Sequence, residues 1–163
     1  MRLFVALRPP PEVVADLQAR LPRWPSAPER WHLTLAFLGE QPGPDAVHEQ
    51  LLLVQRAAFA LRLEGSGTFG RNGPVWVGVG GDVDALHDLA ADVREAAVRA
   101  GVPLERKAYR PHLTVGRKGQ PSPAALAGYR GPAWRAGEVE LVRSDIGRSV
   151  VHTVLERYPL QQP

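Results

Sequence analysis

Hydrophobic positions either alternate with polar ones or recur at helical spacing, and this pattern predicts the elements of the chain. Apolar runs typical of β-strands cover residues 2–7, 31–38, 59–63, 75–79 and 110–117. Apolar residues spaced as on one face of a helix run from 13 to 21, from 47 to 58 and from 86 to 97. The third of these helices has Asp82 at its expected N-cap and Gly101 just beyond its end.

The C-terminal part of the chain predicts one short helix and a hairpin. Ser122 and Pro123 begin the helix, because serine is favoured as an N-cap and proline at the first helical position. Residues 139–143 and 150–156 flank Gly147 and predict two antiparallel strands. Because strands occur in pairs between isolated helices, the pattern predicts an α+β fold with antiparallel sheets.

Composition limits the chemistry that the chain can perform. Its 163 residues are 44% hydrophobic and 23% charged, a mixture typical of one globular domain. The absence of cysteine excludes disulfides, thiolate metal sites and cysteine nucleophiles. A formal net charge of +3 and a pI near 9.8 favour anionic partners. No apolar stretch is long enough to cross a membrane, so we expect a cytoplasmic protein.

A repeated motif divides the chain into two related halves. Residues 30–35 read RWHLTL and residues 110–115 read RPHLTV, which gives four identities at an offset of 80 residues. The offset is almost half of the chain, and the match includes two of only five histidines. Gly39 and Gly119 keep the same register. We therefore expect residues 1–163 to form a single bilobal domain whose two halves each place one motif at a shared centre.

The two motifs place a pair of histidines on equivalent strand faces. Side chains alternate along a strand, so His32 and Thr34 share one face and His112 and Thr114 share another. Histidine has an ordinary pKa near 6.5, which allows one copy to donate a proton and another to accept one near neutral pH. In-line displacement at phosphorus needs both transfers, and a facing pair of histidines supplies them without a metal ion.

Groups that bind a phosphoryl oxygen accompany both histidines. Thr34 and Thr114 carry hydroxyls that can donate hydrogen bonds to the non-bridging oxygens. Arg117, at or just beyond the end of the second motif strand, can neutralise charge that develops in the transition state. Basic residues are dense around that motif: Arg106, Lys107, Arg110, Arg117 and Lys118.

Other interpretations of the same residues remain open. A single histidine and threonine on a half-buried strand are usually structural, and only the repeat argues against that interpretation here. Metal ligation is disfavoured because neither motif contains a carboxylate. No phosphate-binding glycine loop of the nucleotide-binding kind occurs. His48 and His87 are expected at exposed helix positions, and His152 either belongs to the core, which its apolar neighbours favour, or lines the cleft.

The doubled His-x-Thr motif resembles that of the 2H phosphoesterase superfamily, specifically the bacterial and archaeal RNA 2′,3′-cyclic phosphodiesterases, also called 2′-5′ RNA ligases. The resemblance covers nearly the whole chain and extends to residues 1–7, 34–39, 75–79 and 158–160. It implies a bilobal α+β fold with two pseudo-symmetric antiparallel sheets, outer helices and a central cleft. It also implies metal-independent hydrolysis of a 2′,3′-cyclic phosphate to a 2′-phosphomonoester, without a cofactor.

The resemblance also implies a role for each motif residue. His32 corresponds to the general acid that protonates the leaving 3′-oxygen, and His112 to the general base that activates water. Thr34 and Thr114 correspond to the phosphate-binding threonines, and Arg117 to the basic residue after the second motif. One position departs from the family: relatives tend to have a tyrosine where this chain has His152.

Three functions are compatible with these residues. The first is hydrolysis of cyclic phosphate at RNA ends or in cyclic nucleotides by a monomeric enzyme. The second is joining of RNA halves through a 2′-5′ bond at the same site. The third is a non-catalytic module that binds RNA ends, which the paired titratable histidines disfavour because phosphate binding alone does not need them.

Overall fold

The computed structural model describes residues 1–21, 27–116 and 123–162. Their strands form two four-stranded antiparallel sheets, one in each lobe, as the sequence pattern predicted. The first sheet has the order β2-β1-β7-β8 and the second has the order β5-β4-β3-β6. The strands are β1 (Arg2–Leu7), β2 (Leu33–Glu40), β3 (Phe59–Thr68), β4 (Val75–Gly81), β5 (Leu113–Gly116), β6 (Arg130–Ala136), β7 (Glu138–Ile146) and β8 (Val150–Pro159).

Three α-helices pack against these sheets. They are α1 (Pro11–Arg20), α2 (Asp45–Leu51) and α3 (Val83–Arg99), and two short 3₁₀ helices cover Pro28–Arg30 and Pro123–Leu126. The buried face of α3 consists of Leu86, Leu89, Ala90, Val93, Ala96 and Ala97, which matches the predicted apolar stripe. One cluster of buried side chains, among them Leu3 and Val77, extends through both sheets and the helices. No helix in the described part of the chain is long and apolar enough to cross a membrane.

Each lobe repeats the same strand-helix-strand unit. In the first lobe β1 leads through α1 to β2, which pairs antiparallel with β1. In the second lobe β4 leads through α3 to β5, which pairs antiparallel with β4. The second strand of each unit carries the motif and lies at the edge of its sheet. This arrangement accounts for the pseudo-symmetry that the sequence repeat predicted.

Some element boundaries differ from the prediction. Helix α2 ends at Leu51, although helical spacing continues to Ala58, because the chain turns away and the Ala58 amide donates to the Gln161 carbonyl (2.8 Å). The motif strands begin at Leu33 and Leu113, after a 3₁₀ helix in one case and after a proline in the other. The predicted N-cap Ser122 lies outside the described residues.

Strand β6 was missed because its sequence, RGPAWRA, contains both glycine and proline. Proline has no amide hydrogen for a ladder bond, so it is tolerated mainly at the edge of a sheet. Strand β6 occupies such an edge, beside β3. The pairing of β3 with β6 also has an irregularity between Arg62 and Glu64, which obscures the alternation of the sequence.

Candidate active site

The two motif strands present their side chains in the predicted alternation. Leu33 and Leu35 on β2 are almost wholly buried, as are Leu113 and Val115 on β5. The intervening motif residues lie on the opposite faces and are accessible: His32, Thr34 and His112 are half-buried and Thr114 is exposed. The leucines therefore anchor each strand in the core, while the polar residues are free to contact a ligand.

Both histidines are held in the same tautomer by equivalent hydrogen bonds. His32 Nδ1–H donates to the Arg30 carbonyl oxygen (2.6 Å), and His112 Nδ1–H donates to the Arg110 carbonyl oxygen (2.7 Å). Because a carbonyl oxygen can only accept, the proton must be on Nδ1 in both rings. Nε2 is then the nitrogen that exchanges a proton with a ligand. The two motifs are thus equivalent in structure as well as in sequence, because each histidine is oriented by the carbonyl of the arginine two residues before it.

His32 lies in an aromatic pocket formed by β1 and β8. Its ring stacks on Phe4, with 4.5 Å between the centroids, and meets His152 edge to face at 5.3 Å. Burial lowers the pKa of His32 to about 4, although its hydrogen bond to the Arg30 carbonyl acts in the opposite direction. The charges of His152, Arg8 and His112 also lower the pKa, in that order of size.

His112 contacts a different aromatic residue from the second lobe. The Phe69 ring meets it edge to face, with 4.8 Å between the centroids. Phe69 follows β3, and its amide donates to the Pro74 carbonyl (3.0 Å) to close the turn to β4. A Cβ on Gly73 would overlap the Phe69 carbonyl oxygen, so this turn requires glycine there. The turn sequence therefore positions the ring that covers one side of His112.

A cleft joins the two histidines. Its His112 side has a volume of about 490 Å³ and is lined by Thr34, Phe37, Tyr109 and His112, among others. Its His32 side, of about 240 Å³, is lined by Phe4, His32 and His152, and again by Thr34 and Phe37. Because Thr34 and Phe37 border both parts, the depressions that contain the two motif histidines adjoin each other at these residues.

Tyr109 connects the second motif to the first. Its hydroxyl donates to the backbone carbonyl of Thr34 (2.9 Å), and burial raises the pKa of the phenol. Tyr109 precedes His112 by three residues, and Thr34 follows His32 by two. This single hydrogen bond therefore ties the segments that carry the two histidines.

Of the three residues predicted to bind phosphate, the two that the structure describes differ in their position relative to the cleft. Thr34 lines both parts of the cleft, as expected. Thr114 lies on the exposed face of β5, opposite Trp76 of β4, and is not among the residues that line the described cleft. Arg117 lies outside the described residues, so its expected position stays a prediction.

Arg8, which is distant in sequence, and Arg30 of the first motif bring positive charge to the His32 side. Arg8 donates to the buried carboxylate of Glu140 (2.9 Å) and to the Glu29 carbonyl (2.6 Å). Arg30 donates to the Val150 carbonyl (2.9 Å) at the start of β8. The charges of both arginines lower the pKa of His152, after the larger effect of its burial. An anion bound here would meet the charge of Arg30, whereas the charge of Arg8 is paired with Glu140.

Two histidines have positions that differ from the expectation. His152 was favoured as structural, but it lines the cleft beside His32, and its buried Nδ1 has no hydrogen-bond partner among the described residues. His48 was expected to be exposed, but it is half-buried and hydrogen-bonded to the Tyr158 hydroxyl (2.8 Å). Sequence analysis also missed Phe37 and Phe69, which line the cleft while 50% and 39% exposed. Isolated phenylalanines carry no sequence signal that separates a cleft from a core.

The described residues contain no cluster of three or more histidine, aspartate or glutamate side chains that could hold a metal ion. The cleft brings together the two motif imidazoles and the Thr34 hydroxyl, and guanidinium groups lie near its His32 side. Such a set can remove a proton on one side of an anionic group and deliver one on another.

Sequence comparison finds relatives of one kind. The profile of the 2′-5′ RNA ligase superfamily matches residues 5–148. A Thermus thermophilus protein named RNA 2′,3′-cyclic phosphodiesterase is 34% identical over 99% of this chain and 91% of its own length. A Geobacillus stearothermophilus protein of the same name is 33% identical over 81% of this chain, and the match spans only 46% of that relative.

Solved structures show the same architecture. Escherichia coli LigT complexed with 3′-AMP has a TM-score of 0.84 and 27% identity, and the match covers 99% of this chain and 98% of LigT. A structure described as a phosphoesterase has a TM-score of 0.85 and 27% identity with the same coverage. These matches confirm the bilobal α+β fold with two antiparallel sheets.

Proposed function

The chain belongs to the 2′-5′ RNA ligase superfamily, and on that basis we propose that it hydrolyses 2′,3′-cyclic phosphate at RNA ends to a 2′-phosphomonoester without needing a metal ion. The observation that carries this proposal is the pair of histidines in one cleft, both with Nδ1–H bonded to backbone and Nε2 left for chemistry. The names of the Thermus and Geobacillus relatives support the substrate class.

The reaction requires two proton transfers at opposite sides of phosphorus. His112 Nε2 removes a proton from water, whose oxygen forms the new bond to phosphorus. The bond from phosphorus to the 3′-oxygen breaks, and His32 Nε2–H protonates that oxygen. The products are a 2′-phosphomonoester and a free 3′-hydroxyl, so atoms and charge balance. These roles are the ones that the resemblance to the 2H phosphoesterases implies.

Because the pKa of His32 is low, its imidazole must gain a proton before it can act as the general acid. In the free protein this imidazole is neutral near pH 7, since its pKa is about 4. The cyclic phosphodiester carries a negative charge, and an anion close to an imidazole favours the imidazolium. Binding of the substrate therefore raises the pKa of His32 and provides the proton that the leaving oxygen needs.

Thr34 is the phosphate-binding residue that the described cleft supports most directly. It borders both parts of the cleft, between the two histidines. Its hydroxyl donates to a non-bridging oxygen in this proposal, and Thr114 and Arg117 donate to others. The proposal also includes a monomeric, cytoplasmic enzyme of RNA processing, which size-exclusion chromatography and cell fractionation would test.

The test is a product assay with a short RNA that ends in 2′,3′-cyclic phosphate, performed in EDTA. Wild-type protein should yield the 2′-phosphate isomer, and His32→Ala and His112→Ala should each lower turnover by about 10²–10⁴-fold. His48→Ala is the matched control, because His48 contacts Tyr158 and does not line the cleft. Salt-sensitive RNA binding without turnover by the wild type would contradict the proposal and support a binding module.

Ligation is the second candidate, favoured by the description of the family whose profile matches. The same two histidines would act in reverse: one activates a hydroxyl of the second RNA, and the other protonates the oxygen that leaves the cyclic phosphate. Water competes with that hydroxyl, so hydrolysis should dominate. Accumulation of joined RNA over cleaved product from paired RNA halves would favour ligation.

A further inference from the structure

A large groove among the described residues contains neither motif histidine. It has a volume of about 930 Å³ and lies between the C-terminal half of α3 and the segment that follows this helix. We call it the α3 groove; it is lined by Arg94, Glu95, Val98 and Arg99 of α3 and by residues 102–108. Its size exceeds that of either part of the catalytic cleft.

The α3 groove adjoins the His112 side of the cleft. Arg94, Lys107 and Ala108 line both. A third depression, of about 450 Å³, lies alongside and shares Arg94 and Lys107 with both of them. Phe37, which borders both halves of the cleft, lines this depression as well. A chain that leaves the catalytic cleft on this side therefore meets Arg94 and Lys107 at the border of the α3 groove.

Cations exceed carboxylates along the α3 groove. Arg94, Arg99, Arg106 and Lys107 line it together with Glu95 and Glu105. Within the described residues Lys107 pairs with Glu105 (2.7 Å), whereas no ion pair involves Arg99 or Arg106. Arg99 donates only to the neutral amide of Gln50 (3.0 Å), and Arg106 is exposed. At least two guanidinium groups are therefore available to an anionic ligand.

The floor between these cations is apolar. Val98 is 58% exposed, and Pro103 and Leu104 continue the same surface. A single nucleic-acid strand combines charged phosphates with flat apolar base faces, and both parts find complementary groups here. The excess of unpaired arginines favours such a strand over an apolar peptide.

We propose that the α3 groove binds the single-stranded RNA segment that precedes the terminal cyclic phosphate. This inference rests on the proposed function, because it assumes that the end of the strand lies between the two histidines. Only nucleotides on the 5′ side of that end can continue into the groove, since the cyclic phosphate is the 3′ terminus. The protein is thus built for oligonucleotides in preference to mononucleotides.

The experiment compares two substrates with the same terminal nucleotide: a nucleoside 2′,3′-cyclic phosphate and a single-stranded octanucleotide that ends in it. The wild type should have the higher kcat/KM for the octanucleotide. In Arg99→Ala/Arg106→Ala the ratio of the two kcat/KM values should fall by about tenfold or more, because two charge-assisted phosphate contacts are lost. The dependence of log kcat/KM on log salt should become shallower by about 1.4, at about 0.7 for each contact.

Two controls separate charge from structure. Arg135→Ala removes an exposed arginine from β6, at the opposite edge of the second sheet from β5, and should change the ratio by less than twofold. Arg99→Lys/Arg106→Lys retains the charge and should restore most of the ratio. An equal ratio in wild type and the double alanine variant, or failure of the lysine variant to restore it, would overturn the proposal.

Failure of the proposed function is distinguishable from failure of this inference. If the wild type hydrolyses neither substrate, binding of an octanucleotide with a 2′-phosphate end is measured by fluorescence anisotropy. Weaker binding by the double alanine variant than by Arg135→Ala would support the groove, and equal binding would overturn it. An acidic peptide and unlabelled RNA are also compared as competitors of the labelled octanucleotide. If the peptide displaces it at the lower concentration, the groove is assigned to a protein partner instead.

Discussion

The rings of His32 and His152 meet edge to face, with 5.3 Å between their centroids, and Phe4 contacts both. This packing removes water from His32, and burial is the main reason that its pKa is about 4. Burial also lowers the pKa of His152, whose Nδ1 has no partner among the described residues. Both imidazoles are therefore neutral near pH 7 in the free protein.

The first prediction concerns the pH dependence of stability. The pKa of His32 is 6.5 in the unfolded chain and about 4 in the folded one, so the unfolded state binds more protons between these values. The stabilising contribution is complete above pH 6.5 and is lost as the pH falls through 4, a change of about 3 kcal/mol. His32→Phe should abolish this part of the decline in urea-unfolding experiments, whereas exposed His87→Gln should not. Parallel declines in wild type and His32→Phe would contradict the prediction.

The second prediction concerns the acidic limb of the kcat/KM profile. Catalysis needs one neutral imidazole as the base, and the free protein keeps His32 neutral down to a pH of about 4. The acidic limb of kcat/KM should therefore fall near pH 4, below the ordinary histidine value. His152→Phe keeps His32 buried but removes a charge that lowers its pKa, so the limb should shift to higher pH. A limb that stays fixed in His152→Phe would exclude electrostatic coupling between the two rings.

Sequence analysis predicted the part of the site that depends on local pattern. The repeat placed His32, Thr34 and His112 on motif strands, and the buried leucines confirm the alternation. The repetition of the motif after 80 residues also predicted two equivalent lobes. In the structure each motif strand is the last strand of a similar strand-helix-strand unit.

The groups that surround His32 and lower its pKa come from distant parts of the chain. Phe4, Arg8 and His152 approach His32 through the pairing of β1, β2, β7 and β8, which no local pattern encodes. His152 sits among valines on an edge strand, so its sequence environment resembles that of a core residue. The Tyr109 hydrogen bond to Thr34 likewise depends on how the second lobe packs against the first.

The third prediction separates the acid from the base. An aryl phosphodiester with a p-nitrophenolate leaving group needs no proton on the departing oxygen, so loss of the general acid should have little effect on its hydrolysis. His32→Ala should retain most of the wild-type rate with this substrate, while His112→Ala should lose about 10²–10⁴-fold. With the cyclic phosphate both variants should lose about 10²–10⁴-fold. The opposite pattern with the aryl substrate would exchange the roles of the two histidines.

The last prediction concerns Tyr109, which ties the segment before His112 to β2 through the Thr34 carbonyl (2.9 Å). Tyr109→Phe removes one hydrogen bond and should lower the free energy of unfolding by about 1 kcal/mol. Because catalysis depends on how the two histidines face one bound phosphate, kcat should also fall, by about threefold to tenfold. Tyr158→Phe is the matched control: it removes a hydrogen bond to His48 (2.8 Å) away from the cleft. It should lose similar stability in a denaturant titration while kcat is unchanged. Equal kcat values for the two variants would show that the Tyr109 bond stabilises the fold without positioning the histidines.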